Sequence, residues 1–316
     1  MKWKDYIWPA IGLGAVTISV WLLYKELRSI SLEDVIDSLA AITLKQWLLS
    51  ASCALLSYMS LAGYDRIALK HLNKKISWLF ISLCSFTAYA LSHNIGASVI
   101  SGAVVRYRAY SSKGLSGAEV AVLVGFCSFT FALGTLILSA IVLLIEPELL
   151  QRFNGDIPES LAIAAGIVIL ILVALYVFGS WMQLRPLRIG SKFQLSYPRL
   201  SVVKWQLLIA PLELIGAAGI IYFALPEAGH PGFLIVLGIF LISFSAALIS
   251  NAPGGLGVLE FLFITGLPNL NPADVLAALI VFRLLYLLIP FGISLIVVLV
   301  FEKSEFSKKR KIDIKS

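Results

Sequence analysis

Three ionisable residues stand deep inside apolar stretches: Glu213, Glu260 and Arg283. Glu213 follows Lys204 by nine residues, and Arg283 follows Asp274 by nine. Each spacing is about 13 Å along a helix that rises about 1.5 Å per residue. Glu260 follows the turn sequence Asn251-Ala-Pro-Gly-Gly-Leu-Gly257 by three. A charge that far from water is costly and needs either a partner or a task. Two carboxylates and one guanidinium could meet there. They could form an ion pair that only locks helices, or a site that carries a proton or holds a charged group, and both readings are open. The turn adds a second chemistry. Pro253 and the glycines Gly254, Gly255 and Gly257, beside Asn251, leave backbone N–H and C=O groups outside helical pairing. Glycine also lets another group approach the backbone closely. A helix starting near Gly255 would aim its positive end inward, a place for an anion. A plain hairpin turn would use the same residues.

A second polar break, Ser92-His93-Asn94-Ile95-Gly96, lies in the first half. His93 and Asn94 there suit a satisfied structural turn or a ligand contact. Arg106 and Arg108 follow it. A guanidinium grips phosphate bidentately, although ordinary anchoring at the inner membrane face would also place arginines there. Glu119 falls at a helix start, where a carboxylate complements the helix dipole. Other chemistries lack their residues. There is no Ser-His-Asp set, no HExxH, no dense aspartate cluster and no GxxxxGK[ST] loop, so neither a metal, a cofactor nor ATP is expected. Cys53, Cys84 and Cys127 all lie in apolar stretches and read as small core residues.

The elements that position these groups are set by composition. The chain has 316 residues, 59% hydrophobic and 14% charged, with a mean hydropathy of +0.92. An average soluble domain is about 25% charged. Water could not solvate such a surface, so lipid is the expected solvent. Six stretches approach the roughly 20 apolar residues of a spanning helix: 7–24, 46–64, 120–145, 161–181, 205–225 and 275–301. The first follows Lys2 and Lys4 and ends at Tyr24-Lys25-Glu26 without a small-residue cleavage site, so it is taken as an uncleaved span. Residues 31–43 have one apolar side and suit a short surface helix or a loop helix. Basic residues cluster at 66–75, at 185–204 and at 308–311, which are expected inside, with both termini; 146–159 is acidic and expected outside. Two further stretches, 78–105 and 233–267, must then begin and end on one side. Each is too short for two full spans, so each is expected to be a re-entrant helical hairpin, with tips at His93–Gly96 and Asn251–Gly255.

One offset relates the two hairpins. Ser85-Phe86-Thr87-Ala88 and Ser92 align with Ser243-Phe244-Ser245-Ala246 and Ser250 at one constant displacement, and the same displacement carries the other spans onto one another. Each half then holds three spans and a hairpin. Three is odd, so the halves, 1–157 and 158–302, should be inverted, ahead of a basic tail at 303–316. The expected fold is an all-α polytopic membrane protein of six spans and two hairpins. Broken helices in matching positions of inverted repeats point to a transporter's binding site.

Two segments resemble a known family. Asn251-Ala-Pro-Gly-Gly-Leu-Gly-Val-Leu-Glu260, and Gly102-Ala-Val-Val-Arg106-Tyr-Arg108 with Gly114-Leu-Ser-Gly-Ala-Glu119, look like the lysylphosphatidylglycerol synthase membrane region. That region is the flippase-like domain of the multiple-peptide-resistance factor proteins and of stand-alone YbhN-like proteins. The resemblance implies translocation of an anionic phospholipid, a phosphatidylglycerol derivative or cardiolipin, across or within a bacterial inner membrane, with Arg106, Glu260 and the glycine-rich turn on the lipid path. Full synthases carry a large soluble catalytic domain after this region. The sequence here ends at Ser316 with a short basic tail, so translocation without aminoacyl transfer is expected, and no enzyme. A proton gradient acting on Glu213 or Glu260, or downhill scrambling, would drive it. A membrane-embedded lipid-modifying enzyme and a non-transporting envelope assembly partner are the competing expectations. The expected partners are the bilayer and a phospholipid, with room for a homodimer and none for nucleic acid.

Overall fold

The computed structural model describes residues 31–95, 98–153, 155–183, 187–189, 193–195, 197–250 and 255–313. The expected first span at 7–24 and the turn residues Gly96, Asn251, Pro253 and Gly254 lie outside the described residues.

The described chain is helical, apart from one small hairpin. Helix α1 (Leu32–Ala40) is followed by α2 (Leu44–His71), α3 (Trp78–Ile95), α4 (Ser98–Ser111) and α5 (Gly117–Ile145). A 3-10 turn (Pro147–Arg152) leads to α6 (Glu159–Trp181). Strands β1 (Leu187–Ile189) and β2 (Phe193–Leu195) form an antiparallel hairpin before α7 (Leu200–Ala224). The chain then runs through α8 (Phe233–Ser250), α9 (Val258–Gly266) and α10 (Pro272–Phe282), a π-helical segment (Arg283–Leu288) and α11 (Ile289–Asp313). Five helices, the last running Pro272–Phe301, are long and apolar enough to cross a membrane. The chain is an all-helical, multi-pass membrane protein.

Local chemistry starts several of these helices. Ser31 with Asp34, Thr43 with Gln46 and Ser116 with Glu119 each form a reciprocal capping box, satisfying two otherwise orphaned N–H groups. Glu119 also pairs with Lys74 at 2.7 Å. Helix α1 packs against α10, with Leu32 and Ile36 exposed.

Helices α2 and α7 form the central pair. Lipid offers no hydrophobic drive for helix association, so small residues and hydroxyls supply close packing and cross-helix bonds. A Cβ at Gly216 would lie 2.5 Å from Ser57 Oγ and 2.7 Å from the Cys53 carbonyl, and one at Gly219 2.8 Å from Cys53 Sγ. Along this seam Gln46 donates to the Leu225 carbonyl, Ser50 to Ile220, Ser57 to Glu213 and Tyr64 to Ala210. Rising numbers on α2 meet falling numbers on α7, so the pair is antiparallel.

The breaks divide the two interrupted stretches into helical arms. The first becomes α3 and α4, which pack against each other; a Cβ on Gly102 of α4 would lie 3.5 Å from the Ala88 carbonyl of α3. The second becomes α8 and α9. Gly255 and Gly257 both take positive φ, in the left-handed region that side chains with a Cβ rarely adopt. Three boundaries differ from expectation. Helix α3 runs through Ser92, His93 and Asn94 to Ile95, where the first break was expected, because the Asn94 side chain bonds the Ala90 carbonyl one turn back. Helix α2 continues to His71 where a loop was expected from residue 66, because its C-terminal end packs inside the protein and buries Asp65, Ile67, Ala68 and Leu69. The expected span at 275–301 begins at Pro272 and contains the π segment.

Candidate functional site: two buried ion pairs and an apolar cavity

Arg106 on α4 was expected at the cytoplasmic face, but it is buried, 4% exposed. Its Nε lies 3.2 and 3.1 Å from the two oxygens of Asp65, and its Nη2 lies 2.8 Å from Oδ1. The Tyr110 hydroxyl donates to Asp65 Oδ2 at 2.9 Å, the Cys127 thiol reaches Oδ1 at 3.4 Å, and the Arg106 guanidinium sits 4.4 Å from the Tyr89 ring centre. Asp65 escaped the sequence argument because it adjoins Arg66 at the edge of an apolar stretch and reads as a loop residue. The signal available was a lone acid at the end expected to be positive.

Arg108 lies two residues further on the same helix. Two residues turn a helix by about 200°, so Arg108 faces away from Asp65. It lines a cavity of about 570 Å³ between α3, α4 and α11. Leu83, Thr87, Val104, Val105, Val297 and Phe301 contribute to its walls, which are almost wholly apolar.

The second half carries its own pair. Arg283, in the π segment, donates from Nε to Glu260 Oε1 at 3.0 Å, and its Nη2 bonds the same oxygen. Glu260 Oε2 accepts the Gly257 N–H at 2.8 Å. Glu260 therefore caps α9 itself. The anion expected at this helix start from outside is supplied there by the chain's own carboxylate, since orphan N–H groups inside a protein require an acceptor.

Glu213 does not join them, which corrects the expected grouping of two carboxylates and one guanidinium. It is 1% exposed, and its Oε1 accepts the Tyr286 hydroxyl. Tyr286 sits three residues beyond Arg283 in the π segment, so the two carboxylates meet different side chains of one turn. A π turn offsets backbone bonding, and the neighbours answer it. The Tyr58 hydroxyl donates to the Tyr286 carbonyl at 2.9 Å, and Asn94 Nδ2 to the Leu287 carbonyl at 3.1 Å. His93 stacks on Tyr286, ring centres 5.2 Å apart.

Arg106 and Arg283 each face a carboxylate inside the helical bundle, and an apolar cavity lined in part by Arg108 lies beside the first pair. The fold and the site define a polytopic membrane protein with charged pairs in its helical core. Its family follows from comparison: the chain belongs to the lysylphosphatidylglycerol synthase TM region family, whose model matches residues 10–294. It is 29% identical over 303 residues to an uncharacterized protein of Synechocystis sp., covering 96% of this chain and 94% of that one. It is 29% identical over 260 residues to the inner membrane protein YbhN of Escherichia coli, covering 81% and 80%. A phosphatidylglycerol lysyltransferase of Staphylococcus haemolyticus is 24% identical over 297 residues; the match covers 92% of this chain but 33% of that protein.

Proposed function

We propose that the protein moves an anionic phospholipid, a phosphatidylglycerol derivative or cardiolipin, between the leaflets of a bacterial inner membrane, without a covalent step. The observation that carries this is the cavity between α3, α4 and α11. Its apolar walls suit acyl chains, and the Arg108 guanidinium suits a phosphate. Arg108 belongs to the expected inner face, so loading would come from the cytoplasmic leaflet. Arg106 and Arg283 then act as the inner and outer phosphate contacts, exchanging Asp65 and Glu260 for the headgroup as it passes. The glycine-rich turn at Asn251, Pro253 and Gly254, and His93 and Asn94 in the last turn of α3, flank that path.

We also take the chain as two inverted halves whose hairpins re-enter rather than span. Support comes from element order: α2, α3, α4 and α5 precede α7, α8, α9 and α10 with α11 by nearly the displacement that aligns the two hairpin sequences. The matched helices α2 and α7 are antiparallel, as an axis in the membrane plane requires. The test is lipid movement in liposomes holding the purified protein, with labelled phosphatidylglycerol and cardiolipin beside neutral phosphatidylcholine. Arg108→Gln and the cavity-filling Val104→Trp are expected to slow the anionic lipids at least tenfold in folded protein. No movement of any lipid by folded wild-type protein would overturn the proposal.

A further inference from the structure

Glu213 stands apart from both ion pairs. It lies mid-way along α7, and while Oε1 takes the Tyr286 hydroxyl, Oε2 is buried with no hydrogen-bond partner. The titratable groups around it are nearly all hydroxyls and thiols. Helix α2 brings Tyr58, Tyr64 and Cys53, with Asp65 committed to Arg106. Helix α3 brings Tyr89 and His93, whose Nδ1 is also buried without a partner. Helix α5 brings Cys127, bonded to Asp65, and α6 brings Tyr176, bonded to Gln206. Helix α8 has no titratable side chain, and the only one on α10 is Asp274 in its first turn. The π segment brings Tyr286, and Arg283 held by Glu260. Among the described residues no ammonium or guanidinium pairs with Glu213.

An ionised carboxylate sealed from both water and a cation costs several kcal/mol. Asp65 and Glu260 meet that cost with arginines; Glu213 has one hydroxyl. His93, two residues before the end of α3, stacks on Tyr286, so the ring of Tyr286 joins the hairpin break to the carboxyl.

We propose that Glu213 is a proton-binding site, with Tyr286 orienting its carboxyl and His93 backing the Tyr286 ring, and that proton uptake at Glu213 accompanies entry of one anionic headgroup. This rests on the lipid-translocating reading. A proton from water forms an O–H bond on the carboxylate, whose charge goes from −1 to 0; the headgroup brings −1, so the charge within the core is unchanged. Because linkage is reciprocal, the anion tightens proton binding as much as the proton tightens anion binding.

The proposal predicts a proton count. Short-chain phosphatidylglycerol added to the purified protein, in weakly buffered detergent alkaline enough that lipid-free Glu213 is ionised and with a pH-sensitive dye, should drive uptake of about one proton per chain. Phosphatidylcholine should take up none. E213Q should abolish uptake, E213D should keep it, Y286F should change its pH dependence, and D37N on α1 should behave as wild type. Infrared spectra, which need no transport, should show a carboxylic-acid carbonyl band that appears when phosphatidylglycerol is added and never appears in E213Q. In liposomes a proton gradient should speed wild-type lipid movement and leave E213Q indifferent. Lipid movement without a gradient effect and without that band would overturn the proton site while translocation stood. The band and dye response without lipid movement would retain the site and overturn translocation. Uptake unchanged in E213Q would overturn the assignment to Glu213.

Discussion

At the scale of single residues, the Asp65–Arg106 pair makes the firmest energetic statement. A bidentate pair away from water is strongly destabilised when one member goes, because the other is left charged and alone. Asp65→Ala and Arg106→Ala should each cost about 3–5 kcal/mol, and the double variant less than their sum. Unfolding of the detergent-solubilised variants measures this; strictly additive losses would show that the two side chains do not act as a pair. A gentler case lies at the start of α1. Hydrogen bonds from the Ser31 side chain and backbone hold the Asp34 carboxyl below its ordinary value of 3.8. A folded-state value depressed in this way contributes stability above the unfolded value, and that contribution fades as pH falls through the folded one. The protection of α1 amides, relative to their intrinsic exchange rate at each pH, should therefore fall on acidification below 3.8, and Ser31→Ala should remove that loss. Most of the ionisable residues that matter were legible in the sequence as charges inside apolar runs. Their pairing was not. Arg106 reads as an anchor and Asp65 as a loop residue, because which residue meets which depends on how far α2 extends.

At the scale of elements, the π segment is the joint most exposed to test. Its Tyr286 and Leu287 carbonyls are taken by Tyr58 and Asn94, from two other helices. Removing either donor leaves a buried acceptor unsatisfied, so Tyr58→Phe and Asn94→Ala should each cost about 1–3 kcal/mol. The α2–α7 seam fails differently. Gly216→Val would drive a side chain into Ser57 and the Cys53 backbone. That overpacking should cost about 1–3 kcal/mol or more. Gly125→Ala, with nothing within 4 Å of the added Cβ, should be neutral or mildly stabilising. Thermal unfolding in detergent separates the two. The helices and breaks followed from hydropathy and from Gly and Pro. The π turn did not, since nothing in Arg283-Leu-Leu-Tyr-Leu-Leu288 distinguishes it from an ordinary helix.

At the scale of the whole molecule, the proposed inverted arrangement makes a prediction about sides. With Cys53, Cys84 and Cys127 replaced by alanine, a cysteine at Lys75 should react with an impermeant reagent only from the cytoplasm, and one at Asp156 only from outside. Reaction from the same side would remove the odd number of crossings between them, and with it the inverted halves.

The sequence by itself determined the solvent, the helical class and the presence of an interruption in each of two apolar stretches, because each depends on local properties: apolar length, charge bias, and residues that disfavour a helix. It also singled out Glu213, Glu260 and Arg283, since a charge in an apolar run is visible without a fold. The tertiary structure alone decided that Glu260 takes Arg283 and caps its own helix, that Asp65 takes Arg106, and that Glu213 is left with Tyr286. Those outcomes turn on a few ångströms of helix register and rotation, which packing of α2 on α7, of α3 on α4 and of α8 on α9 sets, and which no local pattern encodes.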